Sequence, residues 1–356
     1  MGGFRGRALI SFTLAVPGDL DTPTGGYLYD KSMVEGARRR GHQVRVLQLS
    51  PRFPEPDQVS LDDADRQLRG VPDGEPLVID GLALGAMPEV ARAHRQRLKL
   101  IGLVHHPLAD ETGIDADRSV ALFDSEKSAL STVVGTLVTS PFTARRLADF
   151  GVEPARLRVV VPGTNRLAIA NRRDRPPWRL SCIASYTRRK GHDVLLDALS
   201  LAQDHAWRLT CVGAKGLDQV WEKLLEDRRG AFGDRVELNG PVEASARDAL
   251  LARTDLFVLA SHYEGYGMVL SEAVAAGVPV ISTTGGAIPS TVPDGAGILV
   301  EPGDVDAFAG ALRDWASDPQ LRANLRAGAE RARLQLPSWD QQCDLFLKSV
   351  TELAHG

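Results

Sequence analysis

Cysteine is scarce in this chain: the 356 residues hold three, Cys182, Cys211 and Cys343, too far apart for a disulfide framework or a metal-binding repeat. Cys182 and Cys211 lie in apolar, strand-like runs and are read as buried structural thiols. No apolar run approaches the ~18 residues of a membrane span, and no signal-peptide pattern opens the sequence. Gly6 stands where a myristoylation signal would need Ser or Thr. A cytoplasmic protein is expected. The formal net charge of −4 provides no bulk field for a nucleic-acid partner. The basic clusters Arg38-Arg39-Arg40 and Arg92 to Lys99 are read as solvated helix faces, with weak peripheral membrane contact as the alternative. Gly-x-Gly-x-x-Gly is absent, which removes the fingerprint of nicotinamide-dependent oxidoreductases. No Asp-x-Asp pair sits at a strand end, so no metal and no other cofactor is expected.

What is present is a soluble-enzyme composition, 43% hydrophobic and 25% charged, with length for two domains. Short runs rich in Val, Ile and Leu alternate with helical segments. The strand candidates are 7–12, 43–49, 77–80, 98–104, 136–139 and 157–161, then 179–185, 208–213, 236–239, 256–260, 279–283 and 297–300. Continuous apolar strands separated by helices indicate parallel sheets covered on both faces. Two successive sets predict an α/β protein of two doubly wound, Rossmann-like domains, with ligand at the carboxyl ends of the strands and the domains facing across a cleft. The boundary is placed in the polar, proline-bearing stretch 164–178, giving domains 1–168 and 169–338. The polar stretch 51–75 reads as a surface excursion. Trp339, Cys343, Phe346 and Val350 follow helical spacing after Pro337-Ser338, so 339–356 is a terminal helix that can pack on either domain, including back onto the first.

The densest motif is Glu264-Gly265-Tyr266-Gly267-Met268-Val269-Leu270-Ser271-Glu272. It places two carboxylates around a glycine turn that leads into a helix ending near Gly277. An uncapped helix start presents N–H groups and partial positive charge to a diphosphate. Carboxylates beside it accept hydrogen bonds from sugar hydroxyls, so a nucleotide-sugar donor is the expected partner. Backbone N–H groups of Tyr266, Gly267, Met268 and Val269 would reach the hexose. Further along the fold, Thr187-Arg188-Arg189-Lys190-Gly191 follows strand 179–185 and supplies fixed cations for a leaving diphosphate. Gly25-Gly26 opens an amphipathic helix, and His105-His106-Pro107 follows strand 98–104, with Asp110 and Glu111 just beyond.

Order and spacing from about 180 to 335 resemble the donor-binding domain of retaining glycosyltransferases of family 4, which have the GT-B fold. The resemblance rests on Lys190-Gly191, Val212-Gly213, Asn239-Gly240-Pro241-Val242, Ala260-Ser261, Glu264 with Glu272, Gly277-Val278-Pro279-Val280, Gly285-Gly286 and Gly297. The preceding part is similar to that family's acceptor domain more loosely. The resemblance implies that Glu264 contacts the donor sugar and Glu272 the ribose hydroxyls, that Lys190 is the family lysine, and that His105 is the histidine lining the site near the sugar. Gly25 and Gly26 would then lie against a phosphate or the acceptor. Glu264, Lys190 and His105 form the expected catalytic set, with His105 a neutral imidazole. The family's arginine position is here Ala184-Ser185-Tyr186, so Arg188 or Arg189 must replace it; Arg188 is preferred because Arg189 is placed to point to solvent. The implied activity is hexosyl transfer with retention from a nucleotide diphosphate sugar, UDP favoured, to an unidentified acceptor. A nucleotide-sugar epimerase and a non-catalytic sugar-nucleotide-binding protein are the alternatives.

Overall fold

A computed structural model describes residues 9–22, 24–171, 173 and 175–356. The chain divides into two compact units, the first ending at Gly163 and regaining residues from Trp339 onward, the second running Thr164–Ser338. Each unit is built on one six-stranded parallel sheet with helices on its faces.

In the first unit the strands are β1 Ser11–Pro17, β2 Gln43–Leu49, β3 Pro76–Asp80, β4 Lys99–Val104, β5 Gly135–Val138 and β6 Leu157–Val159. Their order is β2-β1-β3-β4-β5-β6. Strand order therefore reverses between β1 and β3, and ligands of such sheets bind beyond the carboxyl ends of the strands at that reversal. In the second unit β7 Trp178–Ile183, β8 Trp207–Val212, β9 Val236–Asn239, β10 Leu256–Val258, β11 Val280–Thr283 and β12 Gly297–Val300 lie in the order β12-β11-β10-β7-β8-β9. The reversal there falls between β7 and β10.

The twelve strands lie where apolar runs place them, with one real displacement. The first strand was expected at 7–12 and occupies Ser11–Pro17; residues 7 and 8 lie outside the described residues. Its polar members do not end it, because Thr13 is fully buried between two neighbouring strands and its hydroxyl donates to the Glu75 carboxylate. The stretch 51–75 contains a helix, Gln58–Arg69, which the excursion reading omitted. Asp57 caps it by accepting from the Ser60 N–H, and Ala64 and Leu68 are buried. Residues 164–171 belong with the second unit: Thr164 N–H donates to Pro337 O, Ala170 N–H to Ala276 O and Asn171 N–H to Ala252 O.

The helix Trp339–His355 packs on the first unit. Cys343, Phe346, Leu347, Val350 and Leu353 face inward, and Phe346 meets the Phe12 ring of β1 at a centroid distance of 5.9 Å. Arg40 ties the helix at its start, donating to Asp340 and Asp344. Phe346→Ala is expected to lower stability by about 3–5 kcal/mol, read as a lower urea midpoint. An unchanged midpoint would mean that this helix does not share the core of the first sheet.

Candidate functional site

The carboxyl ends of β7 and β10 bring the cation loop and Glu264 of the second unit together. Beyond β7 the chain makes one short turn, Arg188–Lys190, and Gly191 follows in the left-handed region at φ 61°. A Cβ on Gly191 would lie 2.0 Å from the carbonyl oxygen of Ala260, so only glycine lets this loop close onto the end of β10. Gly286 serves the opposite flank. At φ 63° it pairs its backbone with Glu264, where any side chain would collide with the Glu264 carbonyl. The glutamate's backbone is thus fixed, and Gly285 beside it leaves no room for a Cβ against the His262 carbonyl, so backbone packing accounts for the pair.

Lys190 Nζ donates to both Glu264 oxygens at 2.6 and 2.9 Å, and Ser261 Oγ donates to Oε1 at 2.7 Å. Arg189 reaches Oε2 at 3.5 Å and donates to the Tyr263 carbonyl at 2.9 Å. Burial pushes the Glu264 pKa up, but Lys190, Arg189 and these hydrogen bonds outweigh it and hold the carboxyl below its ordinary range. Burial lowers the Lys190 pKa; Arg189 adds to that effect and Glu264 opposes it.

The two arginines exchange the places expected of them. Arg189 does not point to solvent; its side chain is 21% exposed and lies against Glu264. Arg188 is 58% exposed, bonds Asp218 at 3.1 Å and stacks its guanidinium over Trp221 at 4.9 Å. In a one-turn helix successive side chains diverge, and their partners separate them: Asp218 and Trp221 hold Arg188 outward, while the Tyr263 carbonyl draws Arg189 toward Glu264.

The helix Met268–Ala275 starts at Gly267 with no side-chain cap and no acidic residue in its first turn. Gly265, Tyr266, Met268 and Val269 are partly exposed around that start, and Gly267 is buried. Burial pushes the Tyr266 hydroxyl up to about 12. Glu272, the fifth residue of the helix, does not join the Lys190 pair. Its Oε1 faces Arg247 at 3.5 Å, while Oε2 is buried without a hydrogen-bond partner. Burial, reinforced by Asp248 and only partly offset by Arg247, raises its pKa to about 7. Arg247 was missed in the sequence; its only signal was a position shortly after Asn239-Gly240-Pro241-Val242.

The first unit carries its own polar cluster at the β1–β3 reversal. Asp80 ends β3, Asp30 lies in the helix Gly25–Arg39, and His105 follows β4. His105 Nε2 is 3.2 Å from Asp30 Oδ1 and 3.5 Å from Asp80 Oδ2. Burial would favour the neutral ring, but the two carboxylates overcome it and raise the His105 pKa to about 10. The expected neutral imidazole is therefore an imidazolium, donating through Nε2. Asp30, fully buried, is itself pushed up to about 6 by burial. Gly25 and Gly26 open their helix under the Thr24 cap, and a Cβ on Gly26 would sit 3.3 Å from the His105 ring. That contact makes Gly26 a packing partner of His105. The neighbours His106 and Glu111 pair at 3.2 Å, and Asp110 is held by Arg146. Sequence reading missed Asp30 and Asp80, because a lone aspartate in a helix or at a strand end carries no motif.

Since the folded-state pKa of His105 lies above the unfolded value of about 6.5, its pairing is expected to stabilise the fold fully below that pH and to lose effect as pH rises through about 10. In an NMR titration the His105 ring should stay protonated through pH 8, and Asp30→Asn should bring its midpoint down. A wild-type midpoint near 6.5 would refute the paired imidazolium.

Residues 167–332 match the family model described as "Glycosyl transferases group 1". The chain is 27% identical over 322 residues to the MMP alpha-(1->4)-mannosyltransferase of Mycolicibacterium hassiacum, covering 85% of this chain and 77% of that protein. Other curated relatives, at 32% and 28% identity, are matched over 45% and 54% of their length. Among solved structures, sucrose-phosphate synthase from Thermosynechococcus elongatus superposes with a TM-score of 0.80 at 20% identity, over 97% of this chain and 99% of that one. The Anabaena protein HepE in complex with UDP and glucose follows at 0.74 and 16%, over 97% and 100%. No helix among the described residues is long and apolar enough to cross a membrane. The β7–β10 reversal carries its charged pair inside the segment that matches the group 1 model, and the chain is a glycosyltransferase with the GT-B fold.

Proposed function

We propose that the protein transfers a hexosyl group from a nucleotide diphosphate sugar, a UDP-sugar first, to an acceptor with retention of anomeric configuration. The observation that carries this reading is the buried Lys190–Glu264 pair at the strand reversal of the second unit, in the loop that leads to an uncapped helix start. A diphosphate arriving there competes with Glu264 for the Lys190 ammonium. Each glutamate oxygen it displaces becomes an acceptor for a sugar hydroxyl. Binding of the donor thus converts a structural ion pair into a sugar-binding carboxylate and a phosphate-binding cation.

As the glycosidic bond breaks through an oxocarbenium-like state, negative charge develops on the diphosphate. Lys190, Arg189 and the N–H groups at the start of the helix Met268–Ala275 oppose that charge, so the reading assigns its neutralisation to the protein and not to a metal. The diphosphate oxygen takes the acceptor's proton on the same face, which preserves configuration. Glu272, with one oxygen unpartnered, is assigned the ribose diol. In the first unit, His105 is assigned a fixed positive charge near the acceptor end of the reaction, with Asp30 and Asp80 holding it protonated.

A panel of nucleotide sugars in a thermal-shift assay, then turnover with and without acceptor, tests the assignment. Stabilisation by nucleotide sugar with transfer only when acceptor is present is expected. Free altered nucleotide sugar without acceptor would make the protein an epimerase, and binding with no turnover a sugar-nucleotide-binding protein. Glu272→Ala should raise donor Km at least about tenfold, the value of a lost charged hydrogen bond. Donor affinity should weaken as pH falls through about 7 and lose that dependence in Glu272→Gln; an unchanged Km in Glu272→Ala removes the ribose role. Lys190→Ala should lower kcat by roughly 10²–10³, and a near-wild-type kcat would take the lysine out of the chemistry.

A further inference from the structure

We propose that Cys182, Cys211 and His192 form a binding site for a thiophilic d10 cation, Zn²⁺ or Cu⁺, inside the second unit. Cys182 on β7 and Cys211 on β8 are direct partners in the parallel register, so their side chains leave the sheet on the same face. The helix His192–Leu201 covers that face, and its first residue brings an imidazole to the two sulfurs. The three ligating atoms all lie within 4.8 Å of one another, with His192 Nε2 3.8 Å from Cys182 Sγ. Each of the three side chains is at most 1% exposed.

As a polar network the cluster is poorly satisfied. Thiols are weak donors, the closest nitrogen–sulfur approach is long, and His192 Nδ1 is buried without a hydrogen-bond partner. The ring is oriented instead by packing, at 4.9 Å between its centroid and that of Tyr186. As a ligand set it is coherent: two sulfurs and an aromatic nitrogen, with no carboxylate in the cluster, suit soft and borderline ions rather than Mg²⁺ or Ca²⁺. Ligand atoms around an ion with Zn–S of ~2.3 Å and Zn–N of ~2.0 Å stand about 3.5–4 Å apart, so the groups need to close by little. Binding Zn²⁺ displaces one proton from each thiol into solvent. Two thiolates, one dication and a neutral imidazole then sum to zero charge, which a dry core tolerates. Cu⁺ brings one charge fewer, so with it a single thiol gives up its proton to solvent and the site again sums to zero charge.

The site shares no residue with the assigned donor groups but lies close to them, near enough for Cys182 to act electrostatically on Lys190. His192 follows Gly191 and Lys190, so a bound ion would join β7 and β8 to the root of the cation loop. No sequence spacing announced this site, because 182, 192 and 211 converge only through strand pairing and helix docking.

The test is titration of the full-length, reduced and metal-stripped protein with Zn²⁺, with Co²⁺ as its spectroscopic stand-in, and anaerobically with Cu⁺ against a chromophoric competitor. The expected result is about one equivalent bound per chain, with a thiolate-to-cobalt charge-transfer band and a raised Tm. Displacement of cobalt by Zn²⁺ identifies zinc; binding of Cu⁺ alone identifies copper. Cys182→Ala/Cys211→Ala should abolish binding, and Cys343→Ser, altered in the other unit, should retain it. Should the double variant fail to fold, the wild-type titration decides alone. Less than about 0.1 equivalent of either ion, no thiolate band, or binding that persists in a folded double variant would overturn the site. None of these outcomes depends on sugar transfer, so the proposal stands or falls apart from the assigned activity.

Discussion

The ion pair between Lys190 and Glu264 is the constraint on which the second unit's site is built. An ammonium and a carboxylate taken out of water each lose several kcal/mol of hydration, and their mutual attraction repays this only when further hydrogen bonds complete the pair. Ser261 and Arg189 supply that completion. Geometry is paid for in glycine: Gly191 lets the cation loop lie against Ala260, and Gly286 lets the opposite loop lie against the glutamate backbone. Removing Glu264 would leave the Lys190 ammonium buried beside a second cation, a cost of roughly 3–5 kcal/mol, whereas removing Lys190 would leave Glu264 the more distant Arg189 and the Ser261 hydroxyl. Such a pair is a poor way to gain stability; in the function proposed above it holds two opposite charges ready for a ligand carrying both anionic phosphate and neutral hydroxyls.

The same topological rule places polar groups in the first unit, with the opposite balance of charge. At its strand reversal two buried aspartates face one histidine, so the ring is cationic and the surrounding carboxylates are in excess. The second unit instead surrounds Glu264 with two cations. Glu272 is different from both. Held by one distant arginine contact and left with an unpartnered oxygen, it is a carboxyl whose protonation is balanced near neutrality. A group so poorly satisfied is costly in the free protein.

Alternation of apolar and helical segments was enough to locate twelve strands, because strands buried on both faces must be continuously apolar. It misplaced only β1, where the exposed Ser11 and the buried Thr13 imitate a strand end, and passed over Gln58–Arg69, whose narrow apolar face is outnumbered by charge. Glu264, Glu272, Lys190 and the glycine turn were legible because chain-local spacing around a turn carries them. His105 was legible as a position but not as a charge, since its protonation depends on Asp30 and Asp80, 75 and 25 positions away in the chain.

By itself, then, the sequence determined the parallel α/β architecture, the location of the glutamate–helix element and the loop of basic residues, all of which follow from periodicity and local steric demand. Tertiary structure alone decided that Arg189 and not Arg188 joins Lys190, that the terminal helix packs on the first sheet, and that Cys182, Cys211 and His192 meet. Those outcomes depend on strand register, helix docking and the direction of single side chains in a short turn. Such quantities are set by packing between distant segments, and no local pattern encodes them.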